Sequence, residues 1–213
     1  SSDLMAYLLT MPGVVTVGDR GGQLFVRGGT PTQNLVLIDG MRIYQPAHIV
    51  GFYSVVPADI LAYADVYAGG FGARYGGRIS SVIDVATRNG SKQNLRGAVS
   101  VAPFLNAVRL EGPVVPGKMS VLASVRASAV ERVAPVLLGR DLPYRFGDVY
   151  LKTHAYLNRT SSFSATALHT YDRGDIADTE GGRQESRWQN QAVGLRYTYV
   201  PPESAVLTQF AVY

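Results

Sequence analysis

The stretch "VYAGGFGARYGGRISSVIDVATRNG", Val66 to Gly90, decides the fold. Its first half gathers glycines around Phe71, Arg74, Tyr75 and Arg78, and its second half turns into an alternating apolar run ending at Thr87 and Arg88. A dinucleotide-binding fingerprint needs three glycines at fixed spacing running directly into a helix. Here "GGFGARYGG" leads into "RISSVIDVAT", which reads as a strand, and no Gly-Lys-Ser or Gly-Lys-Thr supplies a Walker-type loop. The phosphate-cradle reading therefore gives way to another. Paired glycines tolerate positive φ and close backbone approach, so the segment reads as a loop packed into a confined space.

Upstream of it the chain is short-period and mixed. Asp3 caps a helical piece, "LMAYLL", which Pro12-Gly13 ends. "VVTV" and "QLFV" flank a glycine-rich turn at 18–22. "NLVLI" and "MRIY" flank Asp39-Gly40, the pair a type I′ hairpin turn favours because both central residues need positive φ. Pro57 is read as opening a helical turn in "VPADILAYA", followed by a strand, "DVYA".

Downstream of "GSKQ" (90–93) the character changes to longer segments in which one parity is apolar and the other polar. Val121, Ala123, Val125 and Ala127 oppose Ser120, Ser124, Arg126 and Ser128. Val149, Leu151 and Ala155 oppose Tyr150, Lys152 and His154, and Val193, Leu195, Tyr197 and Tyr199 oppose Gly194, Arg196 and Thr198. Leu168 and His169 fall on unexpected sides. "PVVPGK", "NRTS" and "VPPES" are short connections, whereas 129–147 and 172–187 read as long polar or irregular loops. Strands of about ten residues joined alternately by short turns and long loops describe the wall of an outer-membrane β-barrel. Tyr150, Tyr171, Trp188, Tyr199 and Tyr213 are read as its interfacial aromatics. A soluble sandwich with one wet face predicts the same alternation, so a soluble or surface β-rich binding module or adhesin stands as the alternative.

Composition narrows the function classes. Charged residues make up 17% of the 213, well below the roughly 25% usual for soluble chains. The net charge of +4 comes from scattered Lys and Arg rather than runs, which argues against a nucleic-acid partner. With no cysteine there is neither a disulfide framework nor thiolate chemistry. His48, His154 and His169 lack metal-ligand spacing, and Asp172, Asp175 and Asp178 lack the EF-hand pattern, so no metal or cofactor is expected. No Gly-x-Ser-x-Gly or acid–base cluster suggests an enzyme. "SSDLMAYLLTMPG" shows no signal peptide, and no run of about 18 apolar residues would span a membrane as a helix.

Four pieces in order, "SSDLMAYLLTMPGV", "LFVRGGTPTQNLVLIDGMRIY", "ADVYAGGFGARYGGRISSVIDVATRNG" and "VRLEGPV", resemble the plug and first barrel strands of a TonB-dependent outer-membrane receptor. The wording is most similar to the branch often preceded by a carboxypeptidase-regulatory-like domain. The resemblance implies a mixed α+β plug domain at 1–92, with short strands and few short helices. It is followed at 93–213 by six or seven antiparallel strands of a transmembrane β-barrel. A plugged barrel needs about 22 strands, so the chain reads as a fragment. The implied function is import of a scarce, unidentified ligand across the bacterial outer membrane, with energy from an inner-membrane TonB-type partner and no chemistry on the cargo. Besides that partner and the ligand, the wall would contact outer-membrane lipid. The resemblance also implies roles for particular residues. Arg27 matches the "VRG" arginine, and Asp39 with Gly40 matches the "IDG" turn. Asp65 stands where many members have the glutamate that pairs with arginines to lock plug against barrel. Ala68 replaces the usual arginine nearby, so Arg74 and Arg78 are the substitutes. Arg27, Asp39, Asp65, Arg74 and Arg78 are thus the expected plug–barrel contacts. Tyr44, Gln45, His48, Phe71 and Tyr75, aromatic or polar residues at loop positions, are the expected ligand contacts.

Overall fold

The structure, a computed structural model, describes residues 3–17, 23–48, 53–177, 183–202 and 208–212. Helix α1 (Leu4–Leu8) starts as expected, with the Asp3 carboxylate accepting from the Met5 N–H at 2.9 Å. Strands β1 (Val14–Val17) and β2 (Gln23–Val26) form an antiparallel hairpin whose turn lies outside the described residues. Strands β3 (Asn34–Ile38), β4 (Met41–Ile43), β5 (Leu61–Tyr67) and β6 (Ser81–Thr87) build a sheet in the order β4-β3-β6-β5, with β3 and β6 parallel. The sequence 81–87 lacks strict alternation because β6 is central and covered on both faces. Asp39 (φ +49°) and Gly40 (φ +88°) both adopt the left-handed region, as the hairpin turn requires. One local reading changes. Only Ala58–Ile60 is helical, a single tight 3-10 turn, and "LAYA" joins "DVY" in β5 because its backbone is claimed by pairing with β6.

Beyond Gly90 the chain forms a second, seven-stranded sheet in sequence order. Its strands are β7 (Arg96–Val101), β8 (Leu105–Val115), β9 (Met119–Ser128), β10 (Arg145–Tyr156), β11 (Ser161–Ala177), β12 (Arg183–Tyr199) and β13 (Thr208–Val212), all antiparallel. Register places side chains on two faces. Val108, Val125 and Val149 lie in one row, and Leu110, Ala123, Leu151, Ala167 and Val193 in the next, all on the outer face, turned away from the first module. Ser124, Arg126, Asp148, Tyr150 and Lys152 lie on the other face and are buried against the first module. No described helix is long and apolar enough to cross a membrane, and the aliphatic rows of this sheet have the alternation of barrel strands.

Three expectations shift here. Tyr150 and Trp188 are not interfacial aromatics: Tyr150 is 1% exposed on the inner face, and Trp188, opposite Asp172 on that face, packs in a cluster around Phe146. The segment 172–187, expected as a long loop, is strand in β11 up to Ala177 and in β12 from Arg183, each 17 residues long; residues 178–182, Asp178 among them, lie outside the described residues. The irregular segment 129–147 contains α2 (Val130–Leu138) and the start of β10.

The two sheets share one core. Leu4, Val36, Ile38, Val55, Ile60 and Ile83 of the first module cluster with Leu122, Tyr150 and Leu168 of the wall. That explains the parity of Leu168, since an inward position facing an apolar module selects an apolar side chain. Gly90, which links the modules, has φ +75°, and a Cβ there would stand 2.8 Å from the Val121 carbonyl oxygen. Gly90→Ala combines left-handed strain with a backbone clash, and is expected to cost about 1–3 kcal/mol, read as a lowered midpoint of thermal unfolding of the full protein.

Candidate functional site: the seam between module and wall

The seam is held by three polar clusters. The first is built on the hairpin tip. Asp39 sits where parallel strands β3 and β6 end side by side, so its carboxylate meets Thr87, accepting from the Thr87 N–H at 3.0 Å and its hydroxyl at 2.5 Å. From the wall, the Tyr150 hydroxyl donates to it at 2.7 Å and the Lys152 ammonium at 3.1 Å. Lys152 also donates to the Thr87 carbonyl at 3.0 Å, and Arg196 of β12 donates to the Asp39 carbonyl at 2.5 Å. Five bonds thus converge on one residue, four of them on a carboxylate that is almost wholly buried. Charge-assisted bonds of this kind are stronger than neutral ones, and each partner would be costly to leave alone. Beside them lies a polar cavity of about 200 Å³, lined by Asp39, Lys152, His154, Ser164, Thr166 and Arg196, roomy enough for several water molecules.

The second cluster surrounds His48. Its ring is fully buried between two wall carboxylates, Nε2 at 3.1 Å from Asp148 Oδ2 and Nδ1 at 3.0 Å from Asp172 Oδ2, and it stacks on Phe146 with centroids 4.6 Å apart. Arg126 binds Asp148 from the same strand layer, with Nη2 and Nε each 2.8 Å from Oδ2. Arg126 also reaches the Ser54 carbonyl, and lies 3.7 Å from Asp3, whose carboxylate accepts from the Ser54 N–H at 2.8 Å. Burial alone would lower the imidazole pKa, but the hydrogen bonds and charges of Asp148 and Asp172 outweigh it, so His48 is raised above its ordinary value. Burial also raises Asp3. A protonated ring has two donors for two carboxylates, which is the state this geometry satisfies.

The third cluster ties the last residues before Gly90 to β8. Arg88 donates to the Asp59 carbonyl at 3.0 Å and pairs with Glu111 at 3.2 Å, while Arg109 donates to the same carbonyl at 2.9 Å and pairs with the Asp59 carboxylate at 3.4 Å. Ser120 and Asn190 add bonds to the Asn89 and Gln45 carbonyls.

Of the residues singled out from sequence, Asp39 lies at this seam. Arg74 instead bonds the Tyr75 hydroxyl and lies 3.9 Å from Asp84, and Arg78 lies over the Tyr44 ring at 5.9 Å. Asp65 is opposite Asp84 in the β5–β6 ladder, and Arg27 adopts φ +48° beside Gly13. Among the described residues, none of these four contacts the wall strands through a hydrogen bond or ion pair. Tyr44 is 70% exposed and lines an open groove with Gln45, Arg42 and Arg78. Phe71 packs on Leu35, Tyr75 and Val82. Tyr75 donates to Asp84 at 2.8 Å, and burial with that bond pushes its hydroxyl up to about 12. His48 has both ring nitrogens occupied and presents nothing to solvent. Sequence reading missed Arg126, Asp148, Lys152 and Asp172 as a group. Their signal was their inward parity, which marks a polar face without naming its partners. Glu111 lay inside a quoted motif, "VRLEGPV", without an assigned role.

A small mixed module is thus seated through ionic clusters against the inner face of an antiparallel wall whose outer face is aliphatic, the arrangement of a plug against part of a β-barrel wall. Residues 1–82 match the TonB-dependent Receptor Plug Domain, and the chain has the fold of such a plug followed by antiparallel barrel-type strands. The siderophore receptor PirA from Acinetobacter baumannii superposes with a TM-score of 0.66 at 16% identity, over 92% of this chain and 35% of that one. The FrpB iron transporter from Neisseria meningitidis (F3-3 variant) gives 0.66 at 16% identity, over 93% and 36%. The copper transporter OprC gives 0.64 at 16% identity, over 99% and 34%. No curated protein matches the sequence. The chain therefore spans about a third of the length of these solved structures.

Proposed function

We propose that this chain is the N-terminal part of a receptor that imports a scarce ligand across the outer membrane, using energy from an inner-membrane TonB-type partner. The plug is proposed to end near residue 92, between β6 and β7. The observation that carries the reading is the chemistry of the seam. Asp39, His48 and Arg88 hold the plug through charged and hydroxyl groups, and Asp39 borders a polar cavity. Such bonds exchange for water with modest net change, whereas a wholly apolar seam would resist opening in proportion to its area. A plug that must be dislodged and reseated is suited by the former.

The named structures are a siderophore receptor, an iron transporter and a copper transporter, so ferric chelates and copper are the first cargo probes. Cells producing the full receptor should accumulate a labelled probe only while the TonB-type partner and the proton-motive force are intact. Accumulation that continues after both are removed would overturn the reading. Tyr44, Gln45, Phe71 and Tyr75 are proposed as ligand contacts of the plug. Binding of the same probe should weaken in Tyr44→Ala and Tyr75→Phe receptors, and unchanged affinity in both would retire those two.

A further inference from the structure

We infer that Asp3 is a positioning residue, a latch through which displacement of the plug's N-terminal end is passed to the His48 cluster. A single carboxylate there serves three parts of the molecule. Its Oδ1 accepts both the Met5 N–H of α1 at 2.9 Å and the Ser54 N–H at 2.8 Å, while its Oδ2 faces Arg126 Nη1 of β9 at 3.7 Å. The cap of the helix, the grip on residue 54 and the charge opposite the guanidinium can therefore be altered separately.

Ser54 is where the latch engages. It is buried, and each of its polar groups is taken: the N–H donates to Asp3, the carbonyl accepts from Arg126, and the hydroxyl accepts from the Val56 N–H at 3.0 Å. Residues 53–55 are laddered to 46–48, with the His48 N–H donating to the Tyr53 carbonyl at 2.8 Å and the Val55 N–H to the Pro46 carbonyl at 2.9 Å. On the wall side, Asp148 Oδ2 holds both Arg126 Nη2 at 2.8 Å and His48 Nε2 at 3.1 Å. The contacts thus close a ring that runs from Asp3 through Ser54, Tyr53, His48, Asp148 and Arg126 back to Asp3. Drawing Asp3 out of it would orphan a buried N–H and take one of two carboxylates from Arg126, both costly where water is scarce. The cheaper response is for 53–55 to shift with the carboxylate, and 46–48 is tied to that segment by two backbone bonds. His48 is then drawn from the wall. Such a latch has a use only where the plug is displaced, and so rests on the import reading above. Uptake decides that reading, whereas exchange in the resting receptor decides the latch.

The test is amide hydrogen exchange of the full receptor in nanodiscs, without cargo or partner. In Asp3→Ser the hydroxyl still caps α1 but is too short to hold Ser54 as well. Amides 5–8 should stay within about twofold of wild type, while those of 47–48 and 53–56 exchange roughly tenfold faster or more. Residues 47 and 48 are the telling ones, since Asp3 makes no bond to either and a mere helix cap would leave them unmoved. Asp3→Asn keeps an acceptor for both N–H groups but turns an NH2 toward Arg126, and should give a smaller rise at the same amides. Combining Asp3→Ser with His48→Gln should raise exchange at 53–56 by much less than the product of the two single factors, because both break one ring. Unchanged exchange at 47–48 in Asp3→Ser, or fully multiplicative factors in the double variant, would reduce Asp3 to the cap of a short helix and overturn the latch. Wild-type protection of β8 and β9 in each variant separates loss of the latch from loss of the fold.

Discussion

Asp39→Ala in the full receptor is expected to release the plug tip from the wall, at a cost of about 3–5 kcal/mol, because it strands the buried Lys152 ammonium and two hydroxyls at once. Hydrogen exchange of residues 34–43 and 81–88 should accelerate by orders of magnitude, while the outer part of β10–β12 stays protected. Asp39→Asn keeps an acceptor and the shape but leaves the ammonium without its counter-charge, and should fall between. Pairing Asp39→Leu with Lys152→Met removes both charges together, and should recover much of the loss. If Asp39→Ala leaves exchange unchanged, the hairpin tip is not what holds the plug here.

His48 carries the second large effect, and its sign is set by the carboxylates facing it. The ring meets Asp148 and Asp172 from the wall, with Arg126 and Asp3 in the same cluster and Phe146 on its face. Its pKa in the folded protein is raised above the ordinary 6.5, so its contribution is complete below that value and is lost as pH rises through the raised one. Asp3, also raised, contributes in the same sense at lower pH, from its ordinary 3.8 upward. The seam around residues 45–48 and 53–56 should therefore loosen on going from mildly acidic to mildly alkaline solution. His48→Gln should cost about 3–5 kcal/mol at low pH by leaving two carboxylates facing each other, and should flatten the slope above 6.5. Exchange rates of the 53–56 amides against pH, compared between the two proteins, measure both. A slope that survives His48→Gln assigns the titration elsewhere.

Much of the architecture was legible because it is written in short-range pattern. The Asp39-Gly40 pair specifies its turn through backbone sterics alone, and the alternation of 120–128 and 149–155 separates two faces without any knowledge of what covers them. The misread residues are those whose face is set by a distant neighbour. Tyr150 resembles an interfacial aromatic until the plug's core and Asp39 are seen to claim it, from 111 residues away. The seam was the least legible part. Lys152 and Asp39 are 113 residues apart, and His48 and Asp172 are 124 apart, so no spacing rule joins them. The resemblance drew attention to Asp65 and its neighbours. This chain's described wall instead meets the plug through the hairpin tip, residues 45–48 and 53–56, and the end of β6.

Leu122, Tyr150 and Leu168 complete a core that otherwise belongs to the plug, which gives any displacement a built-in recoil. Pulling the plug off these strands would wet Val36, Ile38 and Ile83 on one side and the three wall residues on the other. The energetic penalty grows with each ångström of travel. In the proposed import cycle the opening stroke would have to be driven while the return would be spontaneous, the ionic clusters then fixing the alignment that the oily contact restores.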